Sequence, residues 1–140
     1  MPMKADLWFP TVIWNDHLKD VNNIDLKEYV EKLAQEDKEG KVASNYGGWQ
    51  SKSFEILDQK PLAIERFIHS LQRCINECTK MAGMPDLIIS DYWWNINYHK
   101  DYNQPHNHRD SMLSGVYYID VPEDSDSKIH FDREDEAQYY

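Results

Sequence analysis

Hydrophobic positions recur at helical spacing in two stretches of the chain and alternate singly in most of the rest. Leu26, Tyr29, Val30 and Leu33 repeat every three or four residues through about Glu36, behind Asp25 and Glu28, whose spacing is that of a capping box. From Pro61, suited to a first helical position because it lacks an N–H, Ile64, Phe67, Ile68, Leu71, Ile75 and Cys78 form a longer stripe ending near Gly83 and Pro85. Both stretches predict amphipathic helices with one packed face. Ahead of them, Leu7 to Trp14 is aromatic and β-branched, and its Pro10 marks an edge strand.

After Pro85 the stripe disappears. Leu87 to Tyr98 predicts a strand with Tyr92, Trp94, Ile96 and Tyr98 on one face and Trp93, Asn95 and Asn97 on the other. A turn at Asp101-Tyr102-Asn103 leads into a short strand through His106. Leu113 to Val121 predicts a further strand, bounded by Pro122 and the polar run from Glu123 to Ser127, and Lys128 to Phe131 one more. Gly40 to Ser53, with its Gly47-Gly48 pair and side chains that compete for backbone hydrogen bonds, predicts an ordered loop.

The chain has 140 residues and shows no repeat or linker, so one domain spanning 1–140 is expected. Its mean hydropathy of -0.79 would suit a disordered chain. Five Trp, nine Tyr and four Phe spread along the sequence supply a core and argue that it folds. The net charge of -10, with no local basic patch, opposes capture of a phosphate backbone, so no nucleic-acid partner is expected. Acidic residues gather from Glu123 to Glu136, where they read as a solvated end. Cys74 and Cys78 share a helix face and imply reduced thiols rather than a disulfide framework. The first residues carry no apolar export segment and no uninterrupted apolar run approaches membrane length, so no membrane partner and a cytoplasmic location are expected.

The chemistry-bearing segment is Pro105-His106-Asn107-His108-Arg109-Asp110. In an extended strand His106, His108 and Asp110 point to one side and Asn107 and Arg109 to the other. Two imidazoles and a carboxylate with open positions beside them are the donor set of non-haem iron(II). Two surface His on a strand are the bland alternative, and spacing alone does not separate the two.

Five blocks in order widen the picture: Phe9-Pro10-Thr11, Ser44 to Ser51, Trp94 to Asn97, His106-Asn107-His108, and Ser114-Gly115-Val116-Tyr117-Tyr118. Together they resemble the 2-oxoglutarate/iron(II) oxygenase family common in marine bacteria and their phages. The resemblance implies an α+β fold: a double-stranded β-helix, jelly-roll-like and antiparallel, buttressed by two N-terminal helices. It also implies iron(II) and 2-oxoglutarate as cofactors, and hydroxylation of a small molecule or protein side chain coupled to decarboxylation of 2-oxoglutarate to succinate. His106-Asn107-His108 matches the family block, whereas His108-Arg109-Asp110 fits the wider H-x-D pattern, so both ligand registers stay open. Asn95, Tyr102, Ser114 and Tyr118 are the candidate contacts to 2-oxoglutarate.

The family pattern also has a distal His and a following basic residue on a late strand. The last His here is His130, in a segment resembling one that precedes the distal ligand, and Arg133 stands among acidic neighbours. The β-helix is therefore expected to be incomplete, with an open edge that favours a homo-oligomer or a complementing chain. Two alternatives follow: a catalytically defective relative acting as a binding or assembly subunit, and a cupin-type jelly roll that holds a metal without 2-oxoglutarate.

Overall fold

The computed structural model describes residues 11–125 and 127–132. Helix α1 runs Asn23–Glu36 and helix α2 Leu62–Ala82. The cap of α1 is Asn22, whose side chain accepts from the Ile24 N–H at 3.1 Å. Asp25, expected at the cap, lies inside the first turn, where its charge meets the positive end of the helix. Pro61 stands one residue ahead of α2, and its carbonyl accepts from the Ile64 and Glu65 N–H groups. The helix closes at Gly83, with the Met84 N–H reaching back to the Thr79 carbonyl at 2.9 Å.

Six short strands complete the described regular structure: β1 Asn45–Tyr46, β2 Trp49–Gln50, β3 Phe54–Glu55, β4 Asp91–Tyr92, β5 Asn95–Ile96 and β6 Tyr102–Asn103. All pairings are antiparallel, β1 with β6, β2 with β5 and β3 with β4. Nested in this way, the pairs form one interrupted ribbon whose two sides are joined through α2. Bonds from Gln104 N to Ser44 O, Ser51 N to Trp94 O and Ile56 N to Ser90 O carry it past the strand limits. The stretch from Gly40 to Ser53, expected as a loop, is thus half of the ribbon.

Gly47 and Gly48, at φ 71° and 62°, bend that half without ending its pairing, while Asn97 to Asp101 bulges out opposite. A Cβ on Gly48 would lie 2.6 Å from the Ile96 carbonyl oxygen and 2.7 Å from Asn97 Oδ1. Gly48→Ala therefore meets both an unfavourable backbone angle and a clash, and is expected to cost about 1–3 kcal/mol. The check is a lowered urea midpoint at unchanged slope.

The core joins three sources: Leu26 and Val30 from α1, Ile64, Phe67 and Ile68 from α2, and Trp49 and Trp94 from the ribbon. The expected face assignment of the second ribbon half holds for Tyr92, Trp94 and Ile96, which turn toward the helices, while Asn95 and Asn97 are exposed. Tyr98 departs from it and is 69% exposed, because the Tyr98–Asp101 turn carries it away from the helices. The strand itself is shorter than the expected 87–98. At Trp94 the Ser51 hydroxyl accepts the backbone N–H at 2.9 Å, replacing a ladder bond.

Aromatic rings fill the space between ribbon and helices. Tyr92 stacks on Phe54 at 5.5 Å and meets Trp94 edge-on at 5.6 Å, and Trp94 packs on Phe67 and Tyr29. Trp49 Nε1 donates to the Asp37 carbonyl at 2.7 Å. By contrast, Tyr92 OH and Trp94 Nε1 are buried with no hydrogen-bond partner among the described residues. Burial, followed by the charges of Tyr29 and Asp58, pushes the Tyr92 hydroxyl from 10.0 up to about 12. The folded state thus holds this proton where the unfolded chain releases it. The resulting stability is fully present below pH 10 and is lost as pH rises from there through 12. Tyr92→Phe removes an unsatisfied group and keeps the stacking. It is expected to be neutral or stabilising by about 1 kcal/mol at pH 7 and to gain further on wild type above pH 10. Paired urea unfolding at the two pH values checks both parts.

The segment expected as a strand from Leu113 to Val121 enters no ladder among the described residues. It packs on the helices through side chains instead. Tyr117 OH donates to Asn23 Oδ1 at 2.8 Å, Asn23 Nδ2 donates to the Ile119 carbonyl at 2.8 Å, and Lys27 pairs with Asp120 at 2.6 Å. Tyr117 and Ile119 join the core while Val116 and Tyr118 are exposed, an alternation suited to a strand that lacks a neighbouring one. Lys128 to Phe131 forms no strand either, nor does Thr11 to Trp14. The rest of the expected first strand, Leu7 to Pro10, and Arg133 with the acidic run from Glu134 lie outside the described residues. A mixed α and β architecture is present, and the strands of the described residues form one ribbon without assembling a double-stranded β-helix. Cys74 and Cys78 are free thiols, both half-buried.

Candidate functional site

The ribbon delivers the chain from β6 to the His segment. Gln104 is the last residue tied to the opposite side, through its N–H to the Ser44 carbonyl at 2.8 Å. Beyond it the structure brings His106 and His108 together, ring centroids 4.8 Å apart and nearly perpendicular at 76°. His106 Nδ1 lies 2.7 Å from the Gln104 carbonyl oxygen. His108 is half-buried against Trp93, at 5.5 Å between ring centroids. Because Trp93 alternates with the helix-facing Tyr92 and Trp94, this contact puts the imidazole pair on the face of the ribbon that the helices leave uncovered.

Asp110 does not join them. The expected strand through His106 does not form: β6 occupies Tyr102–Asn103, where a turn was expected, and after His108 the chain turns over Arg109 and Asp110, closed by the Ser111 N–H on the His108 carbonyl at 3.2 Å. A turn breaks the two-residue alternation that was to align the carboxylate with the rings. Among the described residues no three of His, Cys, Asp or Glu converge in a group able to hold a metal.

The expected cosubstrate contacts are scattered. Asn95 is exposed on the same ribbon side as Trp93. Tyr102 stacks on Tyr46 at 5.1 Å, on the opposite side of β6 from Asn103. Ser114 and Tyr118 are exposed in the unpaired segment, and neither hydroxyl bonds to the imidazole pair. Three polar residues absent from the expected set do cluster with one another. Asn97 Nδ2 donates to Asn103 Oδ1 at 3.3 Å, and Asn103 Nδ2 donates to Ser44 Oγ at 3.1 Å. The only signal for them was the pairing of Ser44-Asn45 with Asn103-Gln104, which no local periodicity encodes. A groove lined by Gln72, Asn76, Lys80, Met84, Leu87 and Ile88 shares no residue with this cluster.

Imidazole nitrogens suit iron(II) in type, and the two rings are close enough to serve one ion. They fit as a pair, and any third protein donor comes from outside the arrangement of the described residues. Residues 91–140 match the model of a family described as "Putative 2OG-Fe(II) oxygenase". The match opens at β4 and takes in the His segment and the Ser114-Gly115-Val116-Tyr117-Tyr118 block, leaving both helices and the first half of the ribbon outside it. No curated protein and no solved structure matches the chain. Among the described residues, no helix is long and apolar enough to cross a membrane.

Proposed function

We propose that the chain carries an iron(II)- and 2-oxoglutarate-dependent oxygenase site in which His106 and His108 are the imidazole ligands. The observation that carries this reading is the convergence of the two rings on the uncovered ribbon face, within the stretch matched to the oxygenase family. Iron(II) with 2-oxoglutarate supplies oxygen activation, coupling decarboxylation of the cosubstrate to hydroxylation of a small molecule or protein side chain. The chain's own residues hold and orient the reactants. Trp93 fixes the plane of His108 by packing, and Asn95, on the same face, presents an amide to a carboxylate. Ser114 and Tyr118 reach the cosubstrate only if their segment is drawn over that face.

A second reading, a binding or assembly subunit without turnover, is favoured by the lack of a three-donor group among the described residues. Anaerobic titration with iron(II), with and without 2-oxoglutarate, separates the two. The oxygenase reading expects a weak visible charge-transfer band that needs both additions, and succinate on admitting oxygen. Iron(II) binding that ignores 2-oxoglutarate and yields no succinate would establish the second reading.

A further inference from the structure

We infer that the β1–β6 end of the ribbon sets the tautomer of His106, with Asn103 as the positioning residue. A carbonyl oxygen only accepts, so the 2.7 Å approach of His106 Nδ1 to the Gln104 carbonyl places a proton on Nδ1 and leaves the Nε2 lone pair exposed. That carbonyl belongs to a peptide group anchored on its other side, since the Gln104 N–H is held by the Ser44 carbonyl at 2.8 Å. The anchor is itself braced by a side chain. Asn103 donates to Ser44 Oγ and accepts from Asn97, tying the first half of the ribbon to the Asn97–Asp101 bulge one residue before Gln104. Asn103 hydrogen-bonds to Ser44 and Asn97 rather than to either ring and acts only through Gln104.

The device has a direct use, and here the inference rests on the proposed metal site. A ligating imidazole whose other nitrogen is engaged by a backbone carbonyl arrives in the correct tautomer and orientation, and loss of such a partner typically weakens metal binding by about 10–100-fold. Free imidazole side chains favour the opposite tautomer, with the proton on Nε2, so a solvent-exposed His106 lacking this contact would have to exchange its proton before binding.

Long-range proton–nitrogen NMR on metal-free protein with labelled histidine, at a pH where the ring is neutral, reads the tautomer directly. Wild type is expected to show His106 protonated on Nδ1. Asn103→Ala is expected to move it toward Nε2–H and to weaken cobalt(II) binding by about 10-fold or more. Asn103→Asp is expected to restore both, because a carboxylate accepts from Ser44 and Asn97 alike. His106 protonated on Nε2 in wild type overturns the inference without reference to any variant. So does an Asn103→Ala protein that keeps the Nδ1–H form and wild-type cobalt affinity. Nδ1–H in a protein that binds no cobalt(II) leaves the positioning intact and removes the metal-site reading, so the two failures are distinguishable.

Discussion

Trp94→Ala is expected to cost about 3–5 kcal/mol, enough to leave a domain of this size partly or wholly unfolded at 25 °C. Trp94 is 5% exposed and sits where all parts of the core meet, against Phe67 of α2, Tyr29 of α1 and Tyr92 of β4. Truncation opens a cavity that three elements border, and the ribbon cannot move in to close it without straining its backbone bonds between Ser51 and Trp94. Trp94→Phe should lose much less, because it keeps a ring in place and removes an indole N–H with no hydrogen-bond partner among the described residues. Near-ultraviolet circular dichroism and urea unfolding of both variants test this ordering. Equal losses would show that the indole makes a polar contact worth as much as its packing.

What was legible in the sequence divides along the range of the interactions involved. Both helices could be read because a stripe such as Ile64, Phe67, Ile68 and Leu71 is a local pattern, and the same holds for the stop at Gly83. The cap of α1 was misplaced by three residues because Asp25 and Asn22 are both competent, and only tertiary docking of Asn23 on Tyr117 and Ile119 fixes where the first turn begins. The ribbon was half legible. The side from Asp91 to Ile96 shows its alternation, whereas its partner carries Gly47-Gly48 and reads as a loop until the opposite bulge is known. Val116 to Ile119 has the composition and the alternating exposure of a strand, yet a strand is a relation between two segments, and no described segment pairs with it. The same reasoning covers the site. His106 and His108 lie side by side although no strand carries them, while a single turn after His108 is enough to separate Asp110. The role of Asn103 and Gln104 depends on a pairing across 59 residues, between Asn103 and Ser44, that leaves no trace in either stretch alone.

That separation of Asp110 makes the two ligand registers experimentally distinct. In the H-x-H register, His106→Ala and His108→Ala each remove a donor, and each is expected to weaken iron(II) binding by more than about 100-fold, beyond what losing a supporting hydrogen bond costs. Asp110→Ala should change the affinity by less than about twofold, since the turn closed by Ser111 on the His108 carbonyl holds its carboxylate apart from the rings. In the H-x-D register, Asp110→Ala joins His108→Ala among the large losses and His106→Ala drops out of them. For the carboxylate to reach a metal shared with His108, the turn must then unwind, and amide exchange at Ser111 should quicken when iron(II) is added. Anaerobic iron(II) titration of the three variants, with circular dichroism to confirm that each is folded, decides between them. His108 is common to both registers and partly buried against Trp93, so an unaltered affinity in His108→Ala would remove the whole segment from the metal site and leave the imidazole pair as a packing feature of the uncovered face.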